Sequence, residues 1–281
     1  MLKNGDIESM RWYPSPNPNV RLREVTYWSE GLRIKGLLAQ PKTGVSESAI
    51  LYLRGGIQSI GMVRPARIAQ FAGMGFTVFA PYYRGNRGGE GKDEFAGEDR
   101  YDAVNAVEVL KKFSTGPVHL LAFSRGGIMA LWTAVLRSDI CSVVTWAGVT
   151  DTVLTYKERL DMRRMMKRLY GGTPNTALPA FEERNPLMRI GESKAAYLII
   201  HGLKDENVSP QQAFLLEEAL QLNHQPCETW YFPEYTHFFP PTANRKTAKA
   251  LTVWMKEQEK RKEDIAEAGR DKTEACRGDY G

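Results

Sequence analysis

The sequence carries a serine, an aspartate and a histidine in an order suited to nucleophilic catalysis. Ser124 lies in the segment AFSRGG, and Asp205 and His237 follow in HGLKDENVSP and PEYTHFF. A serine hydroxyl is a weak nucleophile at neutral pH until an imidazole removes its proton, and a carboxylate can orient that imidazole and stabilise its cation. These roles predict acyl transfer, with Ser124 as nucleophile, His237 as base and Asp205 as the orienting acid.

The backbone at Ser124 must turn sharply from a strand into a helix if this serine is to project from a sheet. Such a nucleophile elbow strains the serine, so the residues two places before and after it are small, usually in the pattern G-x-S-x-G. Ala122 replaces the first glycine here, and its methyl group is the smallest possible intrusion. We expect the elbow to form, although a serine that caps a helix after a buried strand is the simpler alternative.

Other residues compete for the acid and base roles. Glu206 follows Asp205 directly, but Asp205 is favoured because it comes first after the preceding strand. The chain has four histidines in all, and His119, inside an apolar strand, is predicted to be a core residue. His201, beside a glycine at a strand end, is predicted to have a packing role, and His224, in the polar loop LNHQP, is predicted to be solvated.

A tetrahedral intermediate needs hydrogen-bond donors fixed around its oxyanion. One donor is expected to be the backbone N–H of Arg125, directly after the nucleophile. The second should come from the loop after an earlier strand, LYLRGGIQS, where Gly55 and Gly56 let the backbone approach a substrate closely.

Patterns of apolar residues predict the elements that position these groups. An antiparallel hairpin, REVTYWSEG and LRIKGLLAQP, precedes six further strands: AILYLRGG, FTVFAPYY, VHLLAFS, SVVTWAGV, AAYLIIHG and ETWYFPE. Helical patterns separate most of these strands. The expected fold is therefore α/β, with a mostly parallel eight-stranded sheet and helices on both faces. Ligands bind at the carboxyl ends of strands in such sheets, which is where the three candidate residues fall.

Composition divides the chain into three parts. Residues 1–20 are predicted to be an N-terminal extension, residues 21–256 the α/β domain, and residues 257–281 a charged C-terminal tail that frays in solvent. A helical insertion is predicted at about residues 150–194, including the basic, Met-rich stretch KERLDMRRMMKRLY. A stripe of Met and Leu opposite arginines favours a surface helix packed on the core over a substrate gate or lipid-binding helix.

Bulk composition limits the classes of partner and the compartment. The chain is 42% hydrophobic with a net charge of only +5, and its basic residues form no tract with interleaved aromatics, so nucleic acid binding is not expected. No stretch is long and apolar enough to cross a bilayer. Three irregularly spaced cysteines suit neither a disulfide framework nor a metal site. We expect a cytoplasmic enzyme that uses no metal, cofactor or membrane; its oligomeric state is left open.

Several ordered segments resemble the catalytic α/β-hydrolase domain of the prolyl oligopeptidase family of serine peptidases. From about Val25 to Lys256 they are the hairpin ending in LLAQP, the turn RGG, the segment YYRGNRGGEGKDEFAGEDRYDAVNAVEVL, the elbow FSRGG, RNPL, HGLKDENVSPQQ and YTHFF. Arg84-Gly85, followed by a glycine cluster and an aspartate before a helix, is typical of that family rather than of hydrolases at large. The resemblance implies an α/β-hydrolase fold and a serine hydrolase.

Two departures from the family narrow the activity that the resemblance implies. Arg54 stands where the family commonly has His or Tyr before the Gly-Gly pair, so the second oxyanion donor is expected to be a backbone N–H near Gly56 and Ile57, or the Arg54 guanidinium. The large peptidases of the family carry an N-terminal propeller, for which this chain has no room. The expected substrates are small carboxylic esters or short peptides. A prolyl oligopeptidase-type peptidase, transfer of an acyl group to an acceptor other than water, and a non-catalytic binding protein are the alternatives.

Overall fold

A computed structural model describes residues 2–43, 48–58 and 60–278 of the chain. Nine strands of this described part form one sheet. They are β1 (Ile7–Tyr13), β2 (Val20–Ser29), β3 (Leu32–Pro41), β4 (Ala49–Leu53), β5 (Thr77–Pro81), β6 (Val118–Phe123), β7 (Ile140–Trp146), β8 (Ala196–Gly202) and β9 (Cys227–Phe232). Their order is β1-β2-β3-β5-β4-β6-β7-β8-β9. The pairs β1–β2, β2–β3 and β3–β5 are antiparallel. All the other neighbouring pairs are parallel.

Helices cover both faces of the sheet. They are α1 (Pro65–Ala72), α2 (Arg100–Lys111), α3 (Gly126–Leu136), α4 (Thr152–Glu158), α5 (Arg163–Tyr170), α6 (Leu178–Glu182), α7 (Pro210–Leu222) and α8 (Pro241–Gly278). Neighbouring residues of a strand point to opposite faces, so the buried central strands are apolar on both. Leu51 of β4 packs in the core formed with α2, α3 and α7, whereas Ile50 packs in the core formed with α1 and α8. The predicted α/β architecture is confirmed.

The sheet has one strand more than the eight that the sequence predicts. The additional strand, β1, lies within the segment predicted to be an N-terminal extension, and it pairs with β2 from Ile7 opposite Tyr27 to Tyr13 opposite Leu22. Its side chains are mostly exposed, so it lacks the apolar alternation on which the prediction depends. Backbone pairing with β2 holds this strand in the sheet, and its side chains do not show the pattern of a strand. The predicted number of eight strands is wrong for that reason.

The insertion between β7 and β8 is helical but consists of short pieces. The stretch KERLDMRRMMKRLY is interrupted at Arg159, where φ is −100° and ψ is 85°, and a 3₁₀ turn at Leu160–Met162 leads into α5. Met166 and Tyr170 of α5 are buried in a small apolar cluster that also contains Phe181. This face of the helix therefore packs on the domain, with its arginines and lysines outside.

Helix α8 continues into the segment predicted to be a frayed tail, residues 257–281, of which 279–281 lie outside the described part of the chain. It runs from Pro241 to Gly278, so the boundary predicted at residue 257 falls inside a helix. Glu, Lys, Arg and Ala, which give that segment its tail-like composition, are also strong helix formers. Glu259 of this segment lies 2.9 Å from the ring of buried His119 through Oε1 and Nε2. No helix of the described chain is long and apolar enough to span a membrane.

Candidate active site

Ser124 occupies the turn between β6 and α3 in a strained conformation. Its φ is 55°, which places a non-glycine residue in the left-handed region. The Ser124 carbonyl accepts hydrogen bonds from the N–H groups of Gly127, at 2.8 Å, and Val149, at 2.9 Å. A methyl group on Gly126 would lie 2.0 Å from the Leu53 carbonyl oxygen, so this position requires glycine. The turn has the backbone that the AFSRGG motif predicts for a nucleophile elbow.

Small residues surround Ser124 on its other sides. Ala122, which replaces the usual glycine, is fully buried in β6 between Leu53 of β4 and Thr145 of β7. A methyl group on Gly55 would lie 2.8 Å from the Ser124 Cβ and 3.3 Å from its Oγ. Gly55 therefore brings the loop after β4 against the serine hydroxyl.

Asp205 and His237 form a buried hydrogen-bonded pair at the carboxyl ends of β8 and β9. Asp205 Oδ2 lies 2.7 Å from His237 Nδ1, and each residue is 5% exposed. The second carboxylate oxygen accepts the N–H groups of Asn207 and Val208, both at 2.9 Å. These bonds fix the carboxylate and direct it at the imidazole. They leave the other ring nitrogen, Nε2, to exchange a proton with a nucleophile.

None of the competing residues takes the place of Asp205 or His237, although His201 Nε2 lies 3.6 Å from Asp205 Oδ2. Glu206 is exposed, and Asp205 alone of the two contacts the imidazole of His237. His201 is buried, with Nε2 2.9 Å from a backbone carbonyl, and burial lowers the pKa of its imidazole. His119 is fully buried and His224 is exposed. The predicted core position of His119 and exposed position of His224 are confirmed, whereas His201 is buried among polar groups as well as packed, and no spacing in the sequence indicates the contact of His119 with Glu259.

Two backbone N–H groups are placed as candidate oxyanion donors. Arg125 directly follows the nucleophile as the N-cap of α3, and Ile57 lies in the glycine-containing loop after β4. Neither N–H has a hydrogen-bond acceptor within the described residues. Gly56 between them has a φ of +67°, and a methyl group there would lie 2.2 Å from the Ile60 carbonyl oxygen. The tight loop turn thus needs glycine.

The Arg54 guanidinium is not an oxyanion donor. The residue is 1% exposed, and its side chain donates to the carbonyl oxygens of Gly55 at 3.0 Å, Ile60 at 3.2 Å and Tyr82 at 3.0 Å. Because these carbonyls engage the guanidinium inside the protein, the alternative that assigned it to the oxyanion is wrong. In the structure, the Arg54 side chain stabilises the loop after β4 through these hydrogen bonds.

The Arg125 side chain links the elbow to the same loop. Its Nη1 donates to the Gly56 carbonyl oxygen at 3.0 Å, and the guanidinium forms ion pairs with Asp93, at 2.6 Å, and with Asp99. Asp93 in turn accepts the N–H of Gln58 at 3.3 Å. One buried network therefore fixes both candidate oxyanion donors relative to each other. In the sequence, Asp93 and Asp99 belong to the segment that resembles the family. No spacing of residues indicates that they contact Arg125.

Ser124 and His237 line one cavity of about 970 Å³. Its walls come from the loop after β4, the helix α1, the start of α8 and the insertion. Charged side chains of the lining include Arg64, Arg67, Glu158, Asp161 and Arg245. No cluster of His, Cys, Asp and Glu suited to a metal ion occurs in the part of the chain that the structure describes.

The arrangement of sheet, elbow and helices is the α/β-hydrolase fold, and solved structures share it. An acetyl xylan esterase from Paenibacillus sp. R4 superposes with a TM-score of 0.74 at 16% identity, covering 90% of this chain and 89% of the esterase. An acylaminoacyl peptidase from Pyrococcus horikoshii gives a TM-score of 0.73 at 16% identity, over 87% of this chain and 42% of the peptidase. At such identities the likeness shows the fold.

The sequence defines the family within that fold. Residues 62–262 match the prolyl oligopeptidase family. A Bacillus subtilis (strain 168) protein described as uncharacterized peptidase YtmA is 51% identical over 254 residues, which cover 89% of this chain and 99% of that protein. The chain belongs to the prolyl oligopeptidase family and is a serine hydrolase.

Proposed function

We propose that the protein hydrolyses carboxylic ester or short peptide bonds through an acyl-enzyme, with Ser124 as nucleophile, His237 as base and Asp205 as the orienting acid. The observation that carries the proposal is the juxtaposition of a strained serine with a buried Asp–His pair at one edge of the sheet. Asp205 and His237 are 2.7 Å apart, and His237 and Ser124 line the same cavity.

The chemistry proceeds in two halves. His237 removes the hydroxyl proton as Ser124 Oγ attacks the acyl carbon, and the same imidazole then donates the proton to the leaving group. The N–H groups of Arg125 and Ile57 receive the oxyanion, which develops as the carbonyl becomes tetrahedral. Water, activated by His237, then attacks the acyl-enzyme and regenerates the serine. Asp205 stabilises the imidazolium formed in each half.

The anchoring that each bond requires favours small esters as substrates. Ester cleavage needs little anchoring because its leaving group departs readily, whereas amide cleavage needs firm placement of the residues on both sides of the bond. We propose that short-chain activated esters are turned over readily, and that peptidase action is confined to short, unstructured peptides. The free Cys141 and Cys227 accord with the cytoplasmic location that the sequence predicts.

Covalent labelling tests the nucleophile. A fluorophosphonate should label the wild type once and should not label Ser124→Ala, because only an activated serine reacts. Ser124→Ala should also lower kcat for an activated ester by about six orders of magnitude. Exposed Ser138 supplies the matched control, and Ser138→Ala should retain both labelling and turnover. Residual turnover by Ser124→Ala above a small fraction, in a preparation free of contaminating enzyme, would show that another residue is the nucleophile.

A prolyl oligopeptidase-type peptidase is the second candidate, favoured by the family match and by the description of the Bacillus subtilis relative. Measuring kcat/KM for a short acyl ester and for a matched dipeptidyl amide on one preparation decides between them. A higher value for the ester supports an esterase-like site. An amide value equal to or above the ester value would favour the peptidase.

A further inference from the structure

Arginines without acidic partners line one side of the active-site cavity. Arg64, Arg67 and Arg245 all contribute to its wall. Within the described chain, Arg67 has neutral hydrogen-bond partners, among them the amides of Gln70 and Asn244, and Arg245 donates to a threonine hydroxyl. The carboxylates of the lining, Glu158 and Asp161, belong to the insertion instead. The cavity is therefore electrically asymmetric, with uncompensated positive charge on the side formed by α1 and α8.

Arg67 is held in place without being neutralised. Its Nη1 donates to Gln70 Oε1 at 3.1 Å and to Asn244 Oδ1 at 2.9 Å. The guanidinium also lies 4.9 Å from the ring centre of Phe71 and 5.0 Å from that of Trp146. Burial lowers the pKa of this guanidinium, and interaction with Tyr52 opposes that effect, but arginine remains protonated in proteins. Neutral partners thus hold a charged group in a fixed orientation.

Packing and chain order connect two of these arginines, Arg67 and Arg245, to the segment that carries His237. Trp146, against which Arg67 packs, contacts Phe239 with ring centres 5.1 Å apart, and Phe239 is two residues beyond His237. Arg245 lies in the first turns of α8, which begins directly after that segment. Because the imidazole gives its proton to the leaving group, the departing part of the substrate must lie beside His237.

We propose that Arg64, Arg67 and Arg245 bind a carboxylate carried by the leaving group of the substrate, such as the free carboxyl terminus of a short peptide. The proposal rests on the proposed roles of Ser124 and His237. A carboxylate fits because it accepts charge-assisted hydrogen bonds from guanidinium groups, and these bonds are stronger than those between neutral partners. The side chains on α1 and α8 would then select substrates by the charge beyond the scissile bond.

Two acetate esters that differ in leaving-group charge test the proposal. The substrates are 4-acetoxybenzoate, which carries a carboxylate, and 4-acetoxybenzamide, which is neutral; both transfer the same acetyl group. The wild type should have a kcat/KM about ten- to a hundredfold higher for the anionic ester. Added sodium chloride should reduce this ratio because it screens the charges.

Substitutions of the arginines test whether they cause the preference for the anionic ester. The double variant Arg64→Gln/Arg245→Gln and the single variant Arg67→Gln should each lower the ratio of the two kcat/KM values toward one. Arg67→Lys, which keeps the charge, should retain part of it. Arg168, exposed on α5 outside the cavity lining, supplies the control, and Arg168→Gln should leave the ratio at the wild-type value. The melting temperature of each variant shows whether it is folded.

The outcomes separate this inference from the function on which it rests. Turnover of both esters with a wild-type ratio near one, or a ratio that the arginine variants leave unchanged, would overturn the carboxylate site and leave the hydrolase assignment intact. Failure to turn over either ester, together with no fluorophosphonate labelling, would overturn the proposed function and the inference together. A ratio that falls in the glutamine variants and survives in Arg168→Gln supports the site.

Discussion

Asp205 and Glu206 are adjacent carboxylates with opposite surroundings. Asp205 is 5% exposed and contacts the His237 ring at 2.7 Å, whereas Glu206 is exposed. Asp205→Asn should lower kcat by about 10⁴-fold, because an amide can donate to Nδ1 and so stabilise the wrong tautomer of the imidazole. Glu206→Gln is the matched control and should retain wild-type kcat for the same ester. A smaller loss in Asp205→Asn than in Glu206→Gln would transfer the acid role to Glu206.

The residue positions that could be predicted are those that follow from strand ends. Ser124, Asp205 and His237 each come after a strand, and the carboxyl ends of parallel strands meet at one edge of the sheet. The direction of the Arg54 side chain could not be predicted, because backbone carbonyls from two separate loops determine it. Nor did spacing reveal that Asp93 would reach the residue next to the nucleophile.

Between elements, the Arg125 side chain fastens the start of α3 to the loop after β4. It bonds the Gly56 carbonyl at 3.0 Å and reaches Asp93 and Asp99 at the same time. Arg125→Lys keeps the charge and the backbone N–H but cannot make all of these contacts. We expect kcat for a short ester to fall about ten- to a hundredfold with little change in KM, because a displaced donor weakens transition-state binding.

Steady-state kinetics with the single substitution Arg168→Lys as control checks this expectation, since Arg168 is exposed on α5. A variant of Arg125 that keeps wild-type kcat would show that the loop holds its position without the guanidinium. A rise in KM alone would instead assign the side chain to ground-state binding.

The pKa values of the two carboxylates that pair with Arg125 are shifted in opposite directions. Burial raises the pKa of Asp99 to about 7, because the attraction of Arg125 only partly opposes it and the negative charge of Asp93 adds to it. Burial acts on Asp93 too, but Arg125, Asn86 and the Gln58 N–H more than offset it and lower its pKa to about 2. The stability contributed by Asp99 is therefore fully present below about pH 4 and is lost as the pH rises through about 7. The stability contributed by Asp93 is present above about pH 4 and is lost as the pH falls through about 2.

Urea unfolding of Asp99→Asn and Asp93→Asn at several pH values tests this difference. The unfolding free energy of the wild type, relative to Asp99→Asn, should decrease as the pH rises from about 4 to about 8. Relative to Asp93→Asn, it should decrease as the pH falls from about 4 toward 2. Differences that stay constant with pH would mean that neither carboxylate changes its pKa on folding.

The sequence predicts the elements that have a strong apolar pattern. It does not predict those that depend on backbone pairing or on a local change of backbone angle. Strands β4 to β8 are buried on both faces and their apolar runs indicate them clearly. Strand β1 is stabilised by backbone pairing at the edge of the sheet, which leaves no trace in side-chain periodicity. The stretch KERLDMRRMMKRLY, predicted to be a surface helix, is broken into two helices because the backbone at Arg159 leaves the helical region.

Across the whole molecule, α8 joins the cavity to the opposite end of the sheet. Its first turns line the cavity, and Glu259, farther along the helix, contacts His119 at 2.9 Å. Glu259→Ala should lower the free energy of unfolding by about 1–3 kcal/mol, because buried His119 loses a partner for Nε2. Glu257 on the same helix is exposed, and Glu257→Ala should unfold like the wild type in urea. Equal midpoints for the two variants would show that the His119 contact adds no stability.

The aromatic rings around His237 also have a spectroscopic consequence. Phe123 and Phe238 each place a ring centre 4.9 Å from that of the imidazole. Their ring currents should displace the proton resonances of His237 from those of exposed His224, which has no aromatic contact among the described residues. The carbon-bound imidazole protons are therefore a nuclear magnetic resonance reporter within the candidate active site. They would register protonation, acylation of the serine and occupancy of the cavity without any label.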